Sequence, residues 1–375
     1  MKPVLSPKQW LACGLMLLAA TACHTRKPAV SRLPELPPMP PLVSTPQPVS
    51  PVVPSEPTVT AIPAATVTPT AIPIPTAPAV VSPSEWVAWE SWRQANGSGA
   101  GPPGPPTPPN GVYSAATTGG TFAIRIGSRL ASWNGIACWL GFAPKLVGNK
   151  PYIHTLDLQK TFLPLSQAAS PTIKRNQVVV IDPGHGGENA GTRSPLHHRL
   201  EKDLTLDWAL RLKPLLVEKG WTVFLTRTND FDVPLADRVQ CAERHNADLF
   251  LSLHFNSASP NRDAAGIETY CLTPAGMPSN LVRENEDDAT QAHPNNGFDE
   301  DNLRLAARIH RALLAATGAA DRGVRRARFM GVLKGQHRPA VLIEGGFLSN
   351  PKEAGLINTP EYRQRLAGAV ADALP

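Results

Sequence analysis

Two histidines and two glutamates lie where buried strands are predicted to end. His185, His254 and Glu344 follow three apolar, β-branched runs, and Glu201 lies just ahead of a predicted helix. In open α/β sheets, ligands bind outside the carboxyl ends of the strands, so these four side chains are expected to converge. Two neutral imidazoles and one carboxylate are a normal ligand set for catalytic zinc. A second carboxylate can then transfer a proton from water to a leaving group.

The elements that must position these residues alternate between strand and helix patterns from residue 176 to the C-terminus. Strands are predicted at 178–181, 221–226, 249–253, 267–272 and 340–343. Helices are predicted at 203–219, 234–246 and 301–316, with a last helix opening at Thr359-Pro360 and Pro214 interrupting the first one. This alternation predicts the α/β class, with a mainly parallel twisted sheet covered by helices on both faces.

Four segments around these residues carry a family resemblance. They are VIDPGHGG at 180–187, EKD at 201–203, SLHFN at 252–256 and PAVLIEGGFLSN at 339–350. In this order they resemble the motifs of the N-acetylmuramoyl-L-alanine amidase 3 family, over roughly half of the chain. The resemblance implies zinc-dependent hydrolysis of the amide between N-acetylmuramic acid and the L-alanine of peptidoglycan stem peptides, in cell-wall remodelling or daughter-cell separation.

The same resemblance implies a role for each of the four residues. His185, Glu201 and His254 would be the metal ligands, and Glu344 would be the catalytic general base and acid. Glu188 is an alternative to Glu201 as the carboxylate ligand. Two other functions stay open, a zinc peptidase acting on stem peptides and a non-catalytic wall-binding lipoprotein.

Several nearby polar residues are expected to have supporting or surface roles. Asp182 and Asn256 are expected to hold the surroundings of the metal site rather than bind the ion. His245, His310 and His337 are expected at the surface. The basic cluster Arg322, Arg325 and Arg326 is expected either to contact stem-peptide carboxylates or to form a solvated basic face.

The N-terminal region predicts export. Residues 1–23 resemble a bacterial lipoprotein signal, with lysines ahead of an apolar run that is too short for a permanent membrane span. Cys23 would be lipidated and would anchor the protein to a membrane; the alternative is an ordinary secretory signal cleaved nearby. Residues 24–83 are rich in Pro, which predicts a disordered, extended linker. The predicted location is the periplasmic cell envelope.

A small β-rich module is predicted at residues 84–170, ahead of the catalytic domain at 176–375. Asn134-Gly135 between two apolar runs predicts a β-hairpin. The stretch 127–165 resembles the copper-amine-oxidase N-terminal-like module, which does not imply copper here. The polar insertion at 257–300 is expected to be either a lid or a surface loop. The sequence does not identify a regulatory protein partner. The formal charge of +6 is diffuse and no nucleic-acid motif is present, so nucleic acid is not an expected partner.

Overall fold

The computed structural model describes residues 86–97, 111–167, 177–283 and 287–375. The predicted signal at 1–23, Cys23 and the whole Pro-rich linker at 24–83 lie outside these residues, so the predictions made for them stay predictions. Within these ranges, every helix is too short or too polar to cross a membrane.

The strands and helices follow the alternation that the sequence predicts. The strands are β1 (Trp86–Ala88), β2 (Val112–Thr117), β3 (Gly120–Arg125), β4 (Leu130–Trp133), β5 (Ile136–Trp139), β6 (Lys145–Val147), β7 (Lys150–His154), β8 (Val178–Pro183), β9 (Thr222–Leu225), β10 (Leu249–Asn256), β11 (Ile267–Cys271), β12 (Asp321–Arg326) and β13 (Ala340–Phe347). The α-helices are α1 (Trp89–Asn96), α2 (Thr155–Asp157), α3 (Leu163–Ser166), α4 (Glu201–Glu218), α5 (Leu235–Arg244), α6 (Asp299–Thr317), α7 (Gly331–Lys334), α8 (Pro351–Ile357) and α9 (Pro360–Ala373).

One sheet runs through most of these strands, in the order β2-β3-β4-β5-β12-β11-β13-β10-β8-β9. The neighbouring pairs β9–β8, β8–β10 and β10–β13 are parallel, as predicted, whereas β11 is antiparallel to β13. The α/β class is confirmed. Because β10 and β13 are parallel neighbours, their carboxyl ends meet at one edge, which is where the candidate site lies.

Helices cover both faces of the sheet, and alternation along β8 shows why. Val179 and Ile181 pack into the core cluster that contains residues of α4, α6 and α9. Val180 points to the opposite face, into a second cluster that contains residues of α5 and α7. Since successive strand side chains point to opposite faces, a strand that is apolar at every position must be covered on both.

Three local predictions need correction. Glu201 is the first residue of α4 rather than a residue ahead of it, and α4 continues through Pro214, which lies on an exposed side of the helix. The strands β10 and β13 extend past His254 and Glu344, so both residues lie within strands instead of ending them. These shifts move the site residues onto regular elements, where neighbouring backbone constrains them.

The β-rich module joins the main sheet. The hairpin between β4 and β5 is confirmed, with Asn134 and Gly135 both at positive φ in its turn. β5 pairs in parallel with β12, a strand that the sequence did not predict, at Val324 and Cys138. A second, smaller sheet has the order β1-β7-β6.

The expected surface position of His310 is wrong. Its side chain is buried, 3.1 Å from Thr269 Oγ1 and 2.9 Å from Asp321 Oδ1. The solvated basic face is also wrong for Arg326, which is buried and donates hydrogen bonds to Thr161 Oγ1 and to the carbonyl of Lys160. In both cases, partners from distant segments satisfy the buried polar groups.

Candidate metal centre

The loop after β8 turns sharply to present His185. His185 has φ +64, a left-handed conformation that is uncommon for a residue with a side chain. Arg238 stabilises this turn because its Nη2 donates to the His185 carbonyl at 2.8 Å. Gly184 lies directly under His254, and a Cβ at this position would be 2.2 Å from His254 Cε1. Only glycine therefore lets the loop approach this closely.

Glu201 lies between the two imidazoles. Its Oε1 is 3.0 Å from His185 Nε2 and 3.1 Å from His254 Nδ1. The backbone N–H of Phe255 donates to the same oxygen at 3.0 Å, and that of Thr192 donates to Oε2 at 2.9 Å. Burial favours the neutral acid, but hydrogen bonds with the two histidines outweigh it and lower the pKa of Glu201. The carboxylate form, which a metal ligand must have, is thus favoured before any ion binds.

The three predicted ligands form one cluster. One ligand atom from each of His185, Glu201 and His254 lies within 4.8 Å of the others, so these three side chains could hold a metal ion. His185 Nδ1 is 2.9 Å from Asn189 Oδ1, a contact of the kind that orients a ligating imidazole. Two imidazole nitrogens and one carboxylate oxygen fit zinc. Glu188, the alternative ligand, is exposed and lies outside this cluster.

Glu344 lies one strand away from the cluster. In the sheet it is the partner of His254 on β10 and of Glu268 on β11. Its Oε2 is buried and has no hydrogen-bond partner among the described residues. Burial raises the pKa of Glu344, and the nearby carboxylates of Glu201 and Glu268 raise it further. A raised proton affinity suits a group that takes a proton from water and returns it to a leaving group.

Asp182 supports the cluster instead of joining it. Its Oδ1 accepts from Arg238 Nη1 and Thr226 Oγ1, both at 2.6 Å, and its Oδ2 accepts from Ser252 Oγ at 2.8 Å. Arg238 also donates to the Pro183 carbonyl. Asp182 thereby connects β8, β10, α5 and the residue that follows β9, beneath the loop that carries His185.

Glu268 is a site residue that the sequence prediction missed. It is 2% exposed on β11, and its Oε2 accepts from Asn256 Nδ2 and Tyr270 Oη, both at 2.7 Å. Arg322 Nε donates to Oε1 at 2.7 Å. The available signal was a lone glutamate inside an otherwise uncharged strand, Ile267–Cys271.

A cleft of about 320 Å³ opens onto the cluster. His185, His254 and Asn189 line this cleft, together with apolar side chains that include Val233 and Leu235. The two imidazoles of the cluster therefore face this cleft.

Comparisons with known proteins identify the family of this chain. The family model described as N-acetylmuramoyl-L-alanine amidase matches residues 179–375. The amidase AmiA of Escherichia coli K12 is 32% identical over 219 residues, which are 53% of this chain and 75% of that protein. The sporulation-specific N-acetylmuramoyl-L-alanine amidase of Bacillus subtilis is 32% identical over 198 residues, 52% of this chain and 66% of that protein.

Solved structures include similar chains. The N-acetylmuramoyl-L-alanine amidase from Clostridium difficile 630 is 30% identical, with a TM-score of 0.45, over 53% of this chain and 95% of that chain. The amidase AmiC2 of Nostoc punctiforme is 31% identical, with a TM-score of 0.44, over 53% of this chain and 96% of that chain. Since the family model spans more than half of the sequence, the chain belongs to the N-acetylmuramoyl-L-alanine amidase family.

Proposed function

We propose that this protein hydrolyses the amide bond between N-acetylmuramic acid and L-alanine in peptidoglycan, with zinc held by His185, Glu201 and His254. The observation that supports it most is the clustering of three such ligand atoms beside Glu344 at the edge of the sheet. Bound zinc would acidify water and polarise the scissile carbonyl. The remaining chemistry falls to the chain's own side chains.

Glu344 is proposed as the group that moves the proton. It accepts the proton of the attacking water and returns it to the amide nitrogen that leaves with L-alanine. Its buried Oε2 has no competing hydrogen bond among the described residues, so the oxygen is available to reacting atoms. Asn189 orients His185, and the Phe255 and Thr192 amides hold Glu201 in place.

Digestion of purified peptidoglycan followed by mass spectrometry tests the bond specificity. The expected products are glycan strands with free lactyl carboxyl groups and stem peptides beginning with L-alanine. Cleavage within the stem peptides alone would favour the zinc peptidase instead, and absence of any cleavage by zinc-loaded protein would favour the wall-binding role.

Two substitutions test the residue roles. Glu344→Gln should abolish cleavage while leaving zinc content unchanged, as measured by inductively coupled plasma mass spectrometry, because the amide cannot accept the water proton. Glu188→Gln is the control, since Glu188 is exposed and outside the cluster. Loss of zinc from the Glu188 variant would reassign the carboxylate ligand.

The proposed site of action is the periplasmic cell envelope. The sequence of residues 1–23 supports export, and lipidation of Cys23 would hold the enzyme at a membrane with residues 24–83 as a tether. Radiolabelled palmitate fed to expressing cells should enter the wild-type protein and not a Cys23→Ala variant. Equal labelling of both proteins would remove the anchor from this proposal.

A further inference from the structure

We propose that Glu268 is a positioning residue that keeps Glu344 free of an arginine partner. The inference rests on the proposed function, because it matters only if Glu344 moves a proton. Nothing in the proposed reaction uses Glu268, yet it is 2% exposed and faces the site. A buried charge of this kind is costly unless it is paired, so its place calls for a physical reason.

Glu268 and Glu344 are direct partners on the antiparallel strands β11 and β13. Directly opposed residues of such strands have Cβ atoms about 4.5–5.5 Å apart and lie on the same face. Despite this proximity, their surroundings differ. Glu268 has partners on both oxygens, while Glu344 Oε2 has none among the described residues.

The cations at this edge are held by Glu268. Arg322 Nε is 2.7 Å and Arg325 Nε is 3.4 Å from Glu268 Oε1. Both arginines lie on β12, next to β11 in the sheet. A guanidinium that paired with Glu344 instead would form a strong, charge-assisted contact and hold its carboxylate away from the reacting atoms.

Aromatic rings contact both guanidinium groups, which favours their staying near this edge of the sheet over moving into solvent. Arg325 lies over the Trp139 ring at 4.6 Å, and Arg322 lies over the Phe347 ring at 4.8 Å. Trp139 Nε1 also donates to the Arg322 carbonyl at 3.0 Å. Trp139 of β5 thus contacts the Arg325 guanidinium and the Arg322 backbone, Phe347 of β13 contacts the Arg322 guanidinium, and Glu268 pairs with both cations.

The test compares Glu268→Gln with the triple variant Glu268→Gln/Arg322→Gln/Arg325→Gln, each fully folded and zinc-loaded. Loss of the charge releases the arginines toward Glu344, so the single variant should lose roughly tenfold or more in kcat, with KM and zinc content unchanged; complete loss of proton transfer sets the limit at about 10²–10⁴-fold. The triple variant should recover kcat, because neither guanidinium of β12 remains to capture Glu344.

The matched control is Glu243→Gln, which also removes a carboxylate from a buried arginine, Arg338, but away from the site. If Glu268→Gln does not fold, Glu268→Asp replaces it, because the shorter side chain keeps its charge yet loosens its hold on Arg322; it should show a smaller fall in kcat at unchanged KM. A role limited to stability predicts a normal kcat in folded Glu268 variants and would overturn the inference.

A triple variant that is folded but no more active than Glu268→Gln would also overturn the inference. The proposed function fails in a different way. Wild-type enzyme that leaves the muramoyl amide intact overturns both proposals, whereas an active wild type and an inert Glu344→Gln variant, together with a fully active Glu268→Gln variant, overturn this inference alone.

Discussion

The buried ion pair beneath the loop that carries His185 gives the sharpest test of how the candidate site is held. Asp182 Oδ1 lies 2.6 Å from Arg238 Nη1, and the two side chains are 0% and 5% exposed. Asparagine has nearly the same shape as aspartate, so Asp182→Asn removes a charge and leaves the volume unchanged. Arg238 then stays buried without a compensating anion.

The expected cost follows from burial. Removing one partner of a buried pair costs about 3–5 kcal/mol, because the other charge is left uncompensated. The carbonyl of asparagine still accepts from Thr226 and Arg238, which places the expected loss near the lower limit, at about 3 kcal/mol. Glu90→Gln is the matched control. It removes a carboxylate from an arginine pair on α1, where the Glu90 side chain is 36% exposed, and should cost about 0.2–0.5 kcal/mol.

Denaturant unfolding of metal-free protein, followed by circular dichroism, measures both free energies. The double variant Asp182→Asn/Arg238→Met should recover much of the loss, since it leaves no buried charge. Zinc affinity provides a second measurement. Arg238 donates to the His185 carbonyl, so losing its fixed orientation should weaken zinc binding about 10–100-fold. If Asp182→Asn costs no more than Glu90→Gln, charge compensation does not hold this edge and the reasoning is refuted.

Three further results are expected. Gly184→Ala should weaken zinc binding in calorimetric titrations while the fold is kept, because the new Cβ would lie 2.2 Å from His254 Cε1; unchanged affinity would contradict the close packing. Burial favours the neutral acid of Asp207, but hydrogen bonds from Arg211 and Arg363 outweigh burial and lower the pKa of Asp207. The contribution of Asp207 to stability is therefore present above its unfolded pKa of about 3.9 and is lost as pH falls through the lower folded pKa. Asp207→Asn should therefore reduce the fall in unfolding free energy below about pH 4, and an identical acid slope would count against this pairing. Chelation should abolish cleavage reversibly and leave the far-ultraviolet dichroism intact, since the two core clusters pack without an ion; loss of the helical signal would show that metal also holds the fold.

The sequence predicted the main elements well where local signals were sufficient. Continuous apolar runs identified β8, β10 and β13, and Thr359 caps α9 as predicted, accepting a hydrogen bond from the Tyr362 amide. Pro214 misled the prediction of α4. A proline inside a helix removes one backbone hydrogen bond, and at an exposed position of a helix packed along its other side this loss is tolerated.

β12 shows what local patterns cannot reveal. Its residues, Asp321–Arg326, carry mostly charged side chains, which argues against a strand inside a sheet. The strand forms because each charge meets a partner from elsewhere. Asp321 contacts His310, Arg322 contacts Glu268, and Arg326 contacts Thr161. Those partners are distant in sequence, so no window of residues contains the information.

The residues of the candidate site also differ in whether local sequence patterns could predict them. His185, His254 and Glu344 were predicted because motif and strand position agree, and Glu201 mainly because of the motif. Glu268 was not predicted because its contacts depend on β10 and β12, the strands that supply Asn256 and Arg322. Ligand types are readable from sequence, whereas the supporting contacts depend on the order of strands in the sheet.

The strand order also changes the meaning of the β-rich module. A boundary near residue 170 separates two sequence patterns, but hydrogen bonds cross it. Ala137 N–H donates to Asp321 Oδ2 at 2.7 Å, and Arg129 donates to the carbonyls of Pro278 and Ser279. Asn280 returns a bond to the Leu140 carbonyl at 2.8 Å. The module therefore braces both β12 and the segment after β11, the two stretches that flank Glu268, and so takes part in shaping the edge where Glu344 lies.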